Sequence, residues 1–235
     1  MEEGNLLEKL AGFGLTRQEA AIYLCLYQNG EMTGYEASKL TGISRSNVYN
    51  GLSGLTEKGA VYRREDTASK YIAVDVEEFC ANKIRRMEED KIYLTGNLLR
   101  PQENCDGYFT VTGPNNIHDK AANMLKETKQ RVYLSAAIEV IEGFRQQLTV
   151  LLLDGKKVVL LTDEDPKLDG AIFYRKEREE NQLRLIVDSA YVLTGDAGKC
   201  ASDTCLYTGQ KNFVSVFKEA LRNEIKLIEL TRSRQ

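Results

Sequence analysis

Between residues 16 and 59 the chain is punctuated at intervals too short for anything but a run of brief helices. Thr16 stands three residues before Glu19, the spacing of a capping box, in which hydroxyl and carboxylate each satisfy a backbone N–H. Ala20, Ala21, Leu24, Cys25 and Tyr27 follow on helical spacing, and Asn29-Gly30 closes the segment. Thr33 opens a second helix, with Ala37 and Leu40 expected inward and Gly42 as its stop. Ser44 opens a third, carrying Val48, Leu52 and Leu55 at i, i+4 and i+7, and Gly59 ends it. AVYRRE and KYIAVD then flank the polar stretch DTAS, which predicts a hairpin. Three short helices and a hairpin are the layout of a winged helix-turn-helix. The turn TGIS, residues 41–44, supplies the glycine which that geometry favours.

The third helix has two faces. Val48, Leu52 and Leu55 must be buried. Arg45 and Tyr49 form one exposed line, Ser46 and Asn50 another, with Asn47 beside them. A recognition helix reads bases with side chains near its N-terminus. Arginine pairs in bidentate fashion with guanine and asparagine with adenine. Ser44, Ser46 and the helix N-terminus suit a phosphate. The hairpin adds Arg63, Arg64 and Lys70. Taken singly, a short polar helix is a solvated surface and an Arg-Arg pair protects an exposed strand edge; their order along one chain points to DNA.

Charge agrees. The chain carries −3 overall, yet residues 39–71 sum to +3 and the remainder to −6. A confined basic surface on an acidic protein fits a local nucleic-acid contact, not bulk polyanion binding. Hydrophobic residues make up 42% and charged residues 29%, which excludes global disorder. No apolar run approaches the roughly 18 residues of a membrane span. The opening MEEGNLLEKL is too polar for a signal peptide, and five cysteines suit a reducing compartment better than a disulfide framework; the expected location is cytoplasmic.

GLTRQEAAIYLCL, EASKLTGISRSNVYNGL and LTEKGAV together resemble the N-terminal domain of the TrmB-like transcription regulators, over about residues 5–75. The resemblance implies a winged-helix DNA-binding domain and dimeric binding to a promoter. It also places Ser44, Arg45, Ser46, Asn47, Tyr49 and Asn50 on the recognition helix. Gly51 and Gly54 stand where family patterns carry larger residues. Glycines in a helix cost about 1 kcal/mol each against alanine. They either admit a close neighbour, DNA or another helix, or simply weaken this one.

From about Val76 to Arg100 a long amphipathic helix is expected, with Phe79, Cys80, Ile84, Met87, Leu94 and Leu98 as its apolar positions. Ile84, Met87, Leu94 and Leu98 keep the 3-4 spacing of a short heptad seam, with Lys91 in one place. The helix either packs on its own domain or joins two copies. Pro101 and ENCDG mark the boundary.

Beyond it, strands and helices alternate. GYFTVT, VYLSA, KVVLLT, LRLIVD, AYVLTG and TCLYTG read as strands. Helices are expected from Pro114 to about Arg131, from about Glu139 to Asp154, and from about Asn212 to Leu230, and FYRKEREENQ is a charged separator. The fold class is therefore α/β: a winged helix-turn-helix followed by a helix-covered mixed sheet. Short TrmB-like regulators carry a C-terminal half resembling the phospholipase D fold, and the pattern from Gly107 onward is compatible. His118-Asp119-Lys120 imitates the opening of that enzyme's motif, but Leu125 stands where its aspartate belongs and no second histidine exists. That mechanism is excluded, and His118 reads as an exposed helix residue.

Neither a Gly-rich phosphate loop nor a metal-ligand spacing is present, so no cofactor or metal is expected. Cys200 and Cys205 read as turn residues, with a thiol switch or a metal site shared with Asp203 as the alternative. Ser135, Asp163, Glu164, Asp165 and Asp188 fall where strands end. Ligands of open α/β sheets bind there, which makes Ser135, Asp163, Asp165 and Asp188 candidates for a small-ligand pocket, against the plainer reading as loop residues and caps. The combined expectation is a DNA-binding domain over 1–75, a linking and dimerising helix over 76–105, and an α/β sensing or association domain over 106–235. The function expected is that of a homodimeric, sequence-specific transcriptional regulator of double-stranded DNA, not an enzyme and without a membrane partner. The alternatives are a protein-binding winged helix and a degenerate phosphodiesterase.

Overall fold

A computed structural model describes residues 2–65, 69–98, 107–198 and 200–232. The chain forms two compact units that divide between residues 101 and 102.

The first unit runs α1 (Glu2–Gly12), α2 (Arg17–Asn29), β1 (Met32–Thr33), α3 (Gly34–Thr41), α4 (Arg45–Glu57), β2 (Val61–Arg64), β3 (Lys70–Ala73) and α5 (Val76–Asn97). Strands pair antiparallel in the order β1-β3-β2. The caps fall where the sequence places them: Thr16 with Glu19 and Thr33 with Glu36 form capping boxes, and Ser44 accepts from the Asn47 N–H. Gly42 ends α3 in the left-handed region at φ 70°, a conformation that favours glycine. Ala20, Ile22, Tyr23, Leu26, Ala37, Val48, Leu52 and Leu55 form the core with Val61 and Phe79.

Two expected core positions are corrected. The buried face of α2 is Ala20, Ile22, Tyr23 and Leu26, and Tyr27 is exposed. AAIYLCLY is apolar on more than one face, so its phase is set by what packs on it. Leu40 is 61% exposed, because the eight-residue α3 buries only Gly34 and Ala37. α1 is an added element, anchored through Leu10. The DTAS turn and the 101–106 boundary segment lie outside the described residues, apart from Ser69.

The second unit runs β4 (Tyr108–Thr112), α6 (Pro114–Lys126), β5 (Arg131–Ala136), α7 (Ile138–Glu142), α8 (Arg145–Leu153), β6 (Lys157–Thr162), β7 (Ile172–Arg175), β8 (Gln182–Val187), β9 (Tyr191–Asp196), β10 (Thr204–Thr208) and α9 (Lys211–Arg232). Its seven strands form one mixed sheet, β4-β10-β9-β8-β5-β6-β7, parallel only at β5-β6 and β6-β7. On one face Val158, Leu160, Leu183 and Leu185 pack with residues of α6 and α8. On the other Val159, Leu161 and Ile186 pack with Val214 and Leu221 of α9. A strand covered on both faces has no polar side, which explains the continuous apolar run in KVVLLT.

α6 stops five residues short of the expected end, and the Thr128 hydroxyl donates to the Met124 carbonyl there. The single helix expected over 139–154 is two, broken at Gly143-Phe144, with Phe144 buried. The supposed separator overlaps β7, an edge strand of four residues with none fully buried.

Candidate nucleic-acid interface

α4 presents one buried row and one open row. Val48, Leu52 and Leu55 are fully buried, while Ser44, Arg45, Ser46, Asn47, Tyr49 and Asn50 are all exposed. The turn before it is tied down by short bonds: Ser38 Oγ donates to the Ile43 carbonyl at 2.7 Å, and Thr41 Oγ1 to that of Ala37 at 2.7 Å. A recognition helix needs such a fixed entry, since misorientation would waste its base contacts.

Two residues of α3 complete this surface, and sequence reading missed one of them. The Arg45 guanidinium lies over the Tyr35 ring at 4.2 Å from its centroid, and the Lys39 ammonium over the same ring at 4.8 Å. Such cation–π contacts hold a charge in place without neutralising it. Neither cation is in an ion pair among the described residues. Lys39 was visible as part of the basic stretch; Tyr35 carried no signal of its own. Gly34 is needed here as well: a Cβ would come within 2.7 Å of the Tyr49 ring, which lies against the start of α3.

Gly51 and Gly54 are explained from inside the domain. A Cβ on Gly51 would stand 2.6 Å from Ile22 Cδ1, and one on Gly54 would overlap the Glu19 carboxylate. The close neighbour is α2. The Glu19 carboxylate is buried and meets the Lys58 ammonium at 2.6 Å, which also donates to the Gly14 carbonyl. Burial alone would raise the Glu19 pKa. Lys58 and the Thr16 backbone and hydroxyl outweigh it and hold the carboxyl below its ordinary value.

The wing cations have carboxylates beside them. Arg64 pairs with Glu31 at 3.0 Å, and Arg63 with Glu65 at 3.5 Å while donating to Ser69 Oγ. The Thr33 backbone N–H and hydroxyl hold the Glu36 carboxyl below its ordinary value, with a smaller contribution from Lys70, which stands opposite Arg64 in the hairpin. Exposed pairs of this kind are worth at most about 1 kcal/mol, so a phosphate can replace the carboxylate.

The four ligand candidates do not converge. Ser135 and Asp163 lie together at the C-terminal ends of β5 and β6. There Lys176 donates to Ser135 Oγ at 3.2 Å, and Asp163 accepts from the Ile138 N–H and meets Arg178 at 3.3 Å. Lys176 is itself held between Glu179 and Glu224. These groups are spent on one another. Asp165 accepts from the Lys167 N–H in a local turn. Asp188 lies at the other end of the sheet, because β8 runs antiparallel to β5. Its carboxylate accepts three backbone N–H groups, from Lys129, Gln130 and Arg131, which overcome burial and hold its pKa low. It is a clamp for the start of β5.

His118 is on α6, stacked on Phe144 at 4.8 Å. Cys205 is buried in β10, where burial pushes its thiol up to about 11. Cys200 is exposed in the preceding turn, and its N–H donates to Asp203. Among the described residues no cluster of histidine, cysteine and carboxylate groups could hold a metal. No described helix is long and apolar enough to cross a membrane.

Residues 10–77 match the sequence model of the sugar-specific transcriptional regulator TrmB. That match lies wholly within the N-terminal unit. Over 154 residues the chain is 30% identical to the HTH-type sugar sensing transcriptional regulator TrmBL1 of Pyrococcus furiosus, covering 62% of this chain and 44% of that protein. The chain thus spans less than half of TrmBL1. Over 243 residues it is 24% identical to the uncharacterized protein YrhO of Bacillus subtilis, covering 96% of this chain and 86% of that one. Among solved structures, the archaeal chromatin protein TrmBL2 matches with a TM-score of 0.48 at 18% identity, covering 95% of this chain and 97% of that one. Nuc of Salmonella typhimurium, a phospholipase D family member, matches with a TM-score of 0.40 at 12% identity, covering 50% of this chain and 92% of that one. The TrmB match contains every residue named on α3, α4 and the wing.

Proposed function

We propose that this protein is a sequence-specific DNA-binding transcriptional regulator that acts as a homodimer and answers to a small ligand in its C-terminal unit. The observation that carries the reading is the open row of α4, where Arg45 and the neighbouring Lys39 of α3 are in no ion pair among the described residues. The TrmB match and the kinship with TrmBL1, named as a sugar-sensing transcriptional regulator, support it.

In this reading α4 enters the major groove with Arg45 and Asn50 on base edges. Ser44, Ser46 and Asn47 hold the backbone, and Arg63, Arg64 and Lys70 lie along the flanking phosphates. The heptad seam of α5 joins two copies. Ile84 is 50%, Met87 64%, Leu94 50% and Leu98 67% exposed on the single chain, a run of apolar side chains that a second copy would bury. Two recognition helices then meet half-sites roughly 34 Å apart. The ligand acts through its different affinity for DNA-competent and DNA-incompetent dimers. The chemistry of the second unit favours sensing over catalysis: its one histidine is stacked on a ring, and its buried serine is tied to a lysine already paired with two carboxylates. The test is an anisotropy titration of the full chain on its selected duplex. Arg45→Ala should weaken binding and flatten base preference; unchanged affinity and preference would end the assignment of α4.

A further inference from the structure

The face of the C-terminal sheet under α9 carries a cavity of about 370 Å³, at the opposite end of β5 and β6 from Ser135 and Asp163. Arg131 and Lys157 are the first residues of β5 and β6 and are partners in register. Lys218, Arg222 and Lys226 stand on α9 at i, i+4 and i+8, one stripe of the helix. The neighbouring stripe, Leu221 and Ile225, docks on Val159, so the cationic stripe is held over the strand starts. Two half-buried rings, Tyr133 and Tyr174, complete the walls.

The charge of this cavity is one-sided. The one carboxylate among its described lining residues, Glu229, accepts a hydrogen bond from the Tyr174 hydroxyl at 3.0 Å. None of the five cations is in an ion pair among the described residues. Among the described residues, the lysines and arginines of this unit that are in ion pairs are Arg145, Lys156, Lys176, Arg178 and Arg184. Five unpaired cations around one cavity repel each other, in a protein whose net charge is −3. A bound anion removes that repulsion. Arginines fork two oxygens of one phosphate, and lysines add point charges.

Size and lining select the kind of anion. The volume lies within the roughly 300–1,000 Å³ of small-molecule sites. The aliphatic floor and the two tyrosines suit a carbon skeleton between charged ends. We propose that this cavity binds a small phosphorylated metabolite carrying two or more negative charges. Arg131, Lys157, Lys218, Arg222 and Lys226 meet its phosphate oxygens, and Tyr133 and Tyr174 its skeleton. The site stands on its own geometry; its use as the effector site rests on the regulator reading above.

Calorimetric titration of the full chain tests it, with fructose bisphosphate, inorganic pyrophosphate and uncharged glucose as probes. Both anions should bind, the bisphosphate tighter, and glucose should not. The double variant Lys157→Ala, Arg222→Ala should weaken the bisphosphate by at least about tenfold at unchanged Tm. Should that variant lose stability, the exposed Lys226→Gln alone carries the same expectation of weaker binding. Lys126→Ala, outside the cavity, should change nothing. Failure of both anions to bind, or binding indifferent to these cavity variants, overturns the proposal. So does displacement by random duplex DNA at equal phosphate concentration, which would make the cavity a nucleic-acid contact. DNA binding through α4 is read separately. A chain that binds the anion but no DNA refutes the regulator and keeps the site, and the converse refutes the site alone.

Discussion

Arg45 and Lys39 share the Tyr35 ring, and this contact gives a graded prediction. Arg45→Ala removes the proposed base contact and should cost about 1–3 kcal/mol, concentrated at one position of the half-site. Tyr35→Ala keeps every charge and removes only the platform, so it should cost about 0.5–1 kcal/mol at the same position. Single-base operator variants, titrated against both proteins, check this. Equal effects at all positions would make Arg45 a phosphate contact. Gly54→Ala should lower Tm although alanine favours helix. The propensity gain is about 1 kcal/mol, against about 1–3 kcal/mol for displacing the buried Glu19 carboxylate from Lys58. The Glu19 pair also sets a pH dependence. Its folded pKa lies below the ordinary 4.5, so its stabilisation is complete above that value and is lost as pH falls through the folded one. In urea unfolding, Glu19→Gln should be weaker than the parent at pH 7, and the gap should close on acidification below about 4.5. The two α4 glycines were legible as departures from a family pattern. Their cause was not, because the atoms they avoid belong to residues about thirty positions earlier in the chain.

Elements were legible where their signals are local. Thr16, Thr33 and Ser44 with Gly30, Gly42 and Gly59 bounded three helices, because caps and left-handed stops involve only a few neighbouring residues. Elements decided by tertiary packing were not. The phase of α2, the break at Gly143-Phe144 and the edge strand β7 each depend on what lies against them. Asp188 shows the same limit within the candidate site. Its place after an apolar strand marked it as a ligand residue, but the antiparallel run of β8 puts it at the wrong end of the sheet. Asp188→Asn should destabilise the second unit by about 1–3 kcal/mol, since an amide nitrogen would face a backbone N–H that now has an acceptor. For α5 the prediction concerns assembly. Ile84→Glu with Met87→Glu should convert a dimer to a monomer in sedimentation equilibrium without loss of helix signal by circular dichroism. A dimer that survives would place the interface elsewhere.

For the whole molecule, the proposed reading puts DNA binding and sensing in separate units, so their defects should separate too. The net charge of −3 makes a general attraction to DNA weak, so in the proposed reading the affinity comes from the local basic surface of the N-terminal unit. Binding should fall with salt by a log–log slope of about −0.9 for each phosphate contacted, and Arg63→Ala or Arg64→Ala should flatten it without altering base preference. Charge, caps and periodicity all change along the sequence between residues 75 and 107, and the structure divides into two compact units between residues 101 and 102. The basic cavity under α9 was not legible in the sequence, since Arg131, Lys157 and Arg222 come together only through the parallel pairing of β5 with β6 and the docking of α9. The central claim is that two copies of α4 read a defined duplex. Selection from a randomised duplex library on the purified full chain, at near-physiological salt, tests it most directly. The account predicts enrichment of an inverted repeat whose half-site centres lie about one helical turn apart. A pool that stays random through successive rounds, while the protein remains folded and dimeric, would contradict it.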